Sequence, residues 1–207
     1  IPALSFGSLK AVGASGPAVH LDHMDVDLHD NASLQEGAKT YMNYCMGCHS
    51  LQYSRYERVA DDLGIPHDLM KANLMFDPSQ RIGSLMENSL ADAQAKKWFG
   101  ATPPDLTLVA RARGTDWLYT YLRTFYADPS RPYGVNNKVF PDVGMPHALL
   151  ELQGLQECAM GPVAAANGGV KRDPLTGEDI LAGPCGQFDL ATEGSLSPEE
   201  FDGAVYD

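Results

Sequence analysis

The sequence predicts an all-α fold, a single domain over residues 1–207 with long loop insertions. Apolar residues recur at helical spacing in several segments, and no convincing series of strands is evident. The 20 glycines and 14 prolines place much of the chain in loops. With 44% hydrophobic residues, a chain of 207 residues can bury a core of its own.

The first predicted helix begins at Ser33 and leads to a cysteine. Ser33 and Glu36 have the spacing of a capping box, in which each side chain satisfies a free backbone donor at the start of the helix. One apolar helix face follows at positions i, i+4, i+7, i+8 and i+11. Its residues are Leu34, Ala38, Tyr41, Met42 and Cys45.

Four further helices are predicted downstream. The first two cover residues 89–98, with a stop at Gly100, and residues 106–113, with a stop at Gly114. Residues 116–126 form an aromatic-rich helical stripe, which is typical of a core-facing helix. The last begins at a capping box around Ser197 and Pro198. The segments predicted as loops are residues 129–146 and 161–186.

The chain is strongly acidic, and the acidic residues are unevenly distributed. Its formal net charge is -12, from 27 acidic and 15 basic residues. Residues 151–207 alone contain 11 acidic and 2 basic residues. This charge argues against nucleic acid or an anionic membrane surface as the partner. The acidic region is explained by solubility, or alternatively by docking to a positively charged partner.

The motif Cys45-Met46-Gly47-Cys48-His49 has the spacing of a haem c attachment site. Two thiols separated by two residues can add to the two vinyl groups of one porphyrin. The histidine that follows then lies under the ring, with its imidazole on the iron. The sequence therefore predicts a cytochrome c fold with one covalent haem.

Three alternatives to haem attachment are weaker. A thioredoxin-like Cys-x-x-Cys requires a βαβ context, whereas a helix precedes this motif. A zinc site requires a second ligand pair, but Cys158 and Cys185 are isolated and have no nearby histidine. A disulfide between Cys45 and Cys48 would leave His49 unexplained.

Cys158 and Cys185 are predicted to form a disulfide. Thioether attachment of haem takes place outside the cytoplasm, where a remaining even pair of cysteines is usually oxidised. The bond would close a loop with 26 residues between the cysteines, and the chain-entropy argument gives it roughly 3–4 kcal/mol of stabilisation. Two buried thiols are the alternative.

Spacing alone leaves two candidates for the second axial ligand of the iron. Of the eight methionines, five are poor candidates because they lie next to the motif or in segments typical of a core. They are Met42, Met46, Met70, Met75 and Met86. Met145 follows a turn-rich loop that can lie against the open haem face, and His147 is its nearest rival. A methionine ligand raises the reduction potential, and an iron with two axial ligands indicates an electron carrier.

Six further motifs occur in a fixed order over residues 33–155. They are PPDLT at 103–107, ARARG at 110–114, YLRTFY at 121–126, DPSRP at 128–132, VFP at 139–141 and GMP at 144–146. Together with the attachment site they resemble cytochrome c1 of the proteobacterial type. This ordered match is far more specific than the haem motif alone.

The resemblance implies roles for nine residues. Those that hold the haem c and its iron are Cys45, Cys48, His49 and Met145. Those expected to line the pocket are Pro103, Pro104 and Leu106 on the ring and Arg113 and Trp117 near the propionates. For Arg113, an ordinary exposed cation at a helix end is the alternative. No role is carried over to Cys158 and Cys185, which lie in a region that varies within the family.

The resemblance also implies a place in the cytochrome bc1 complex, the ubiquinol–cytochrome c reductase, at the periplasmic face of a bacterial inner membrane. The partners would be the Rieske iron–sulfur protein, cytochrome b and a soluble cytochrome c, in a dimeric complex. The chain would not be an enzyme on its own.

No segment approaches the roughly 18–20 apolar residues of a membrane span, so the family's C-terminal anchor is expected beyond residue 207. The rival functions are a free-standing periplasmic carrier and a haem enzyme or sensor with an open iron position.

Overall fold

Eight α-helices and three two-stranded antiparallel sheets form the part of the chain that the computed structural model describes, residues 19–162, 169–170, 172–178 and 181–207. The helices are α1 (Asn31–Thr40), α2 (Tyr56–Asp62), α3 (His67–Asn73), α4 (Asp92–Phe99), α5 (Val109–Arg113), α6 (Thr115–Arg123), α7 (Leu150–Gln153) and α8 (Pro198–Tyr206). The strands are β1 (Leu51–Arg55), β2 (Leu85–Met86), β3 (Phe125–Ala127), β4 (Val135–Asn137), β5 (Gly154–Pro162) and β6 (Leu181–Glu193).

The all-α prediction is wrong, because the chain is 37% helical and 16% strand. Strand β1 pairs with β2, β3 with β4 and β5 with β6. The first two pairs involve strands of two to five residues, too short to show an alternating pattern. Residues 161–186 were predicted as a loop, but β5 extends into its start and β6 includes its end. The rest of that predicted loop lies partly outside the described residues.

Helix α1 starts earlier than predicted and ends in a wider turn. Its N-cap is Asp30, whose Oδ1 accepts the backbone N–H groups of Ala32 and Ser33 at 3.1 and 3.2 Å. Ser33 is therefore inside the helix, and its hydroxyl contacts Asp207 at the end of α8. After Thr40 the chain forms a π-helical turn, Tyr41–Cys45. Such turns are frequent at functional sites, and this one delivers the first cysteine of the motif.

The other predicted helices are present with shifted limits. Helix α4 ends at Gly100, which has a left-handed conformation with φ of 77°. Helix α6 ends at Arg123 because Phe125 begins strand β3. The capping box of α8 is confirmed by reciprocal hydrogen bonds between Ser197 and Glu200.

Helices α2, α3 and α7 were not predicted, and they have only four to seven residues each. Helices this short are not stable alone and depend on tertiary packing. Within the described residues, no helix has both the length and the apolar character needed to cross a bilayer.

Two buried clusters form the core. The amino-terminal cluster joins the π-helical turn after α1 to α2, α3 and β2. Its buried members are Met42, Met46, Tyr56, Ala60, Met70, Leu74 and Met86. The Met145 cluster consists of buried Phe125, Val135 and Val143, with Tyr121, Met145 and Leu155 packed against them. One cluster thus supports the Cys-x-x-Cys-His motif, and the other supports the predicted ligand methionine.

Arg123 connects α6 to the segments on either side of it. Its guanidinium donates to both carboxylate oxygens of Asp202 in α8 at 2.6 and 2.8 Å, and to Asp22 at 2.7 Å. Its backbone carbonyl accepts the side-chain amides of Gln153 and Gln156 at 3.0 and 2.9 Å. The bidentate geometry is the favoured one for an arginine–carboxylate pair. This residue therefore fixes the β5–β6 hairpin and α8 to the helix that carries Tyr121.

We expect Gly154→Ala to lower the free energy of unfolding by about 2–4 kcal/mol. Gly154 has φ of 83° and ψ of -177°, a region that only glycine readily adopts. An added Cβ would also overlap the carbonyl oxygen of Thr192 in the paired strand. Urea denaturation measures the loss. The matched control is Gly177→Ala, because Gly177 has φ of 74° but open space around it. Equal losses in the two variants would contradict the close approach at Gly154.

Candidate haem site

The Cys-x-x-Cys-His motif forms a compact turn after the π-helical segment. The carbonyl of Cys45 accepts the backbone N–H groups of Cys48 at 3.0 Å and His49 at 2.9 Å. The hydroxyl of Tyr41 donates to the carbonyl of His49 at 2.6 Å. This turn holds the two cysteines and His49 in one compact segment directly after the π-helical turn.

Both cysteines of the motif are free thiols, and both are half-buried. Burial raises the pKa of the Cys45 thiol to about 11, and the neighbouring Cys48 adds to this shift. Cys45 is therefore a neutral thiol at neutral pH. Two reduced cysteines, rather than a disulfide, are what thioether attachment requires.

His49 is buried and has a fixed tautomer. Its Nδ1 lies 2.7 Å from the carbonyl oxygen of Pro104. Because a carbonyl can only accept, Nδ1 donates to it, and Nε2 is the ring nitrogen left for a metal. This is the arrangement that orients a histidine to bind a metal through Nε2.

The PPDLT segment lies directly beside His49. The N–H of Leu106 donates to the carbonyl of Ser50 at 2.9 Å. Pro103 and Leu106 are half-buried, whereas Pro104 is exposed and provides the acceptor for His49. The structure therefore brings the three predicted pocket residues of this segment to the attachment motif.

Arg113 and Trp117 form a second part of the site, where α5 meets α6. The guanidinium carbon of Arg113 lies 5.1 Å from the ring centroid of Trp117. Trp117 stacks on Tyr121 with centroids 4.9 Å apart and ring planes 10° apart. Arg113 is exposed, so its charge is accessible to an anionic group.

Met145 joins this aromatic stack through Tyr121. The hydroxyl of Tyr121 lies 3.4 Å from Sδ of Met145 and donates to it. Met145 is half-buried at the edge of the Met145 cluster. The structure thus links Met145, Tyr121, Trp117 and Arg113 in a continuous series of contacts.

His147, the rival ligand, is packed inward. Its ring stacks on Phe125 with centroids 4.8 Å apart and planes 3° apart. Burial lowers the pKa of His147 to about 4, although the side chain of Gln153 opposes the shift. His147 Nε2 and Gln153 Oε1 are both buried, and neither makes a hydrogen bond within the described part of the chain. His147 is therefore a neutral packing residue in this arrangement.

Sequence reasoning did not find three residues that hold the site. They are Tyr41, Asp105 and Tyr121. Tyr41 and Tyr121 lie on predicted apolar helix faces, and only their hydroxyl groups distinguish them from ordinary core residues. A tyrosine one helical turn before the attachment motif was the available signal for Tyr41.

The Cytochrome C1 family matches residues 23–153 of the chain. This covers more than half of the sequence and includes every residue of the site described above. The chain belongs to the cytochrome c1 family. The resemblance that the sequence motifs indicated, including the proteobacterial type, is confirmed.

Two of three similar proteins carry names of this family, and the third carries a different name. The chain is 51% identical to cytochrome c1 of Allochromatium vinosum over 95% of its own length and 75% of the relative's. It is 40% identical to a protein named ammonia monooxygenase gamma subunit in Nitrosomonas europaea, over 94% of its length and 72% of that protein's. It is 29% identical to the cytochrome b-c1 complex catalytic subunit of Candida albicans mitochondria, over 62% of its length and 53% of that subunit's.

Membership of the cytochrome c1 family implies a covalently bound haem c and a role in electron transport. The residues of the structure fit such a group. Cys45 and Cys48 offer free thiols at the correct spacing, and His49 has its Nδ1 bonded to Pro104, which leaves Nε2 for the iron. The predicted disulfide between Cys158 and Cys185 is present and joins β5 to β6.

Proposed function

We propose that this cytochrome c1 is the haem-carrying electron-transfer subunit of the ubiquinol–cytochrome c reductase, the cytochrome bc1 complex. It would accept one electron at a time from the Rieske iron–sulfur protein and pass it to a soluble cytochrome c. The observation that supports this best is His49, held with Nε2 free beside two free thiols, in a chain of this family. On its own the subunit would not be an enzyme.

We propose Cys45 and Cys48 as the attachment residues and His49 and Met145 as the axial ligands. When bound, the haem iron supplies a centre that changes charge by one electron. The chain holds both ligands in advance: Pro104 fixes the ring of His49, and Tyr121 holds the sulfur of Met145. Ligands that do not move on electron transfer keep the reorganisation small, as a carrier needs.

The remaining pocket residues would shape the surroundings of the haem. Pro103, Pro104 and Leu106 would pack on the ring, because they adjoin His49. Arg113 would neutralise a propionate, with Trp117 beneath its guanidinium. An arginine supported by an aromatic ring is well suited to an exposed anionic group.

The assembly and location are proposed with this function. The partners would be cytochrome b, the Rieske protein and a soluble cytochrome c, in a dimeric complex. The haem domain would lie on the periplasmic face of the bacterial inner membrane.

Purification from the membranes of the source cells under mild detergent tests this proposal. We expect b-type haem and a Rieske iron–sulfur centre to co-purify with the chain. We also expect a quinol to reduce its haem only in that assembly. Purification of the chain with neither partner would contradict the proposal and favour a free-standing carrier or another oxidoreductase. Carbon monoxide binding to the reduced haem would instead favour an open iron position.

Tyr121→Phe should lower the reduction potential of the haem modestly. The hydroxyl withdraws electron density from Sδ of Met145, so its loss strengthens sulfur donation and favours oxidised iron. We expect a shift below one tenfold change in equilibrium constant, which is ~59 mV for one electron. A redox titration measures it. Tyr133→Phe is the matched control, because its hydroxyl donates to the carbonyl of Trp98 instead. Equal potentials in the two variants would contradict the contact's role.

A further inference from the structure

A set of hydrogen bonds joins the chain after His49 to the PPDLT segment, and we call it the histidine clasp. It is formed by residues 50–53 and 104–107. Pro104 accepts from His49 at 2.7 Å, and Leu106 donates to Ser50 at 2.9 Å. The clasp therefore determines where the acceptor of the His49 ring lies.

Asp105 is at the centre of the histidine clasp. Its Oδ2 accepts the backbone N–H of Gln52 at 2.7 Å, and its Oδ1 accepts that of Thr107 at 3.0 Å. One carboxylate thus bonds to both segments of the clasp. The residue before it, Pro104, carries the carbonyl that orients His49. Movement of the Asp105 backbone would displace that carbonyl directly.

The carboxylate of Asp105 also contributes a charge close to His49. Partial burial by itself raises its pKa, but the hydrogen bonds from Gln52 and Thr107 outweigh this. The pKa of Asp105 is therefore held below its usual value, and the group is ionised at neutral pH. Its field also reaches Tyr41, where burial and then Cys45 and Asp105 raise the pKa of the phenol.

We propose that Asp105 is a positioning residue for the axial histidine and that its charge favours the oxidised haem. It fixes the His49 ring through Pro104, and its negative charge stabilises the more positive state of a centre bound to that ring. This inference rests on the proposed function, because it requires iron on His49.

Two substitutions separate the effect of charge from that of hydrogen bonding. Asp105→Asn removes the charge and nearly preserves the size of the side chain, but its amide nitrogen cannot accept, so it keeps only one of the two hydrogen bonds. Asp105→Glu keeps the charge but displaces the oxygens from the N–H groups of Gln52 and Thr107. Both are compared in the holoprotein, by redox titration and by amide hydrogen exchange at Gln52 and Thr107.

For Asp105→Asn we expect the ratio of reduced to oxidised haem at a fixed potential to rise on the order of three- to tenfold. Tenfold corresponds to a potential raised by ~59 mV. For Asp105→Glu we expect a potential close to that of the unmodified protein. Its amide exchange at Gln52 and Thr107 should be faster, because their acceptor has moved.

The matched control is Asp173→Asn. Asp173 also accepts two backbone N–H groups, from Leu175 at 2.7 Å and Thr176 at 3.2 Å, in the segment between β5 and β6. This control should change neither the potential nor the exchange at Gln52 and Thr107. A role in folding alone would lower stability without moving the potential.

Equal potentials in Asp105→Asn and Asp173→Asn would overturn the inference. If Asp105→Asn yields no mature protein, Asp105→Glu decides, and unchanged exchange at Gln52 and Thr107 would then overturn it. An unmodified protein without covalent haem would refute the proposed function. A covalently bound haem whose reduction potential does not depend on Asp105 would refute only this inference.

Discussion

Met145→Leu is expected to lower the reduction potential of the haem by roughly a few hundred millivolts. Leucine has nearly the volume of methionine, so the Met145 cluster should remain packed. It has no sulfur, however, and cannot stabilise reduced iron as a thioether does. The reduced variant should also bind carbon monoxide, because the axial position opposite His49 becomes available.

A redox titration and an optical spectrum with and without carbon monoxide measure both effects. Met70→Leu is the control, because Met70 is only 1% exposed in the amino-terminal cluster and lies away from the Met145 cluster. It should leave the potential unchanged. An unaltered potential in Met145→Leu would remove Met145 from the iron. His147 would then be the nearest alternative, although it would first have to leave its stack on Phe125.

Loss of the disulfide is the second large effect that we expect. The double variant Cys158→Ala/Cys185→Ala should lose about 3–4 kcal/mol of unfolding free energy, because the bond closes a loop between residues 27 positions apart. Changing both cysteines avoids an unpaired thiol. Leu155 of the same hairpin packs on the Met145 cluster. We therefore expect loss of the disulfide to weaken the packing around Met145 as well.

Chemical denaturation followed by the far-ultraviolet signal of the helices measures this loss. The single variant Gly177→Ala, within the loop that the disulfide closes, controls for local changes in the hairpin. A loss below about 1 kcal/mol would show that other contacts hold the hairpin. The packing of Phe188 against Tyr126, with centroids 6.2 Å apart, is one such contact.

The attachment motif could be predicted from sequence because its chemistry is local. Five consecutive residues hold the two thiols and the imidazole, and the π-helical turn preserves that order in space. The capping box at Ser197 was predictable for the same reason. At α1 the predicted N-cap, Ser33, was wrong, because the helix begins three residues earlier. Asp30 has this role, whereas Ser33 contacts Asp207 at the far end of the chain.

The contacts that organise the rest of the site are long-range. Asp105 meets Gln52 across 53 positions, and Tyr121 meets Met145 across 24. Strands β5 and β6 pair around a disulfide and contain glycines and prolines that are typical of loops. No local pattern distinguishes such strands from turns, which is why the fold class was predicted incorrectly.

The mass of the intact purified protein tests the central claim most directly. We predict the mass of the polypeptide plus one haem, with the haem retained in acidified acetone. We further predict that this added mass is absent from a variant lacking both Cys45 and Cys48. A polypeptide mass without porphyrin, or a haem that the solvent extracts, would contradict covalent attachment at this motif.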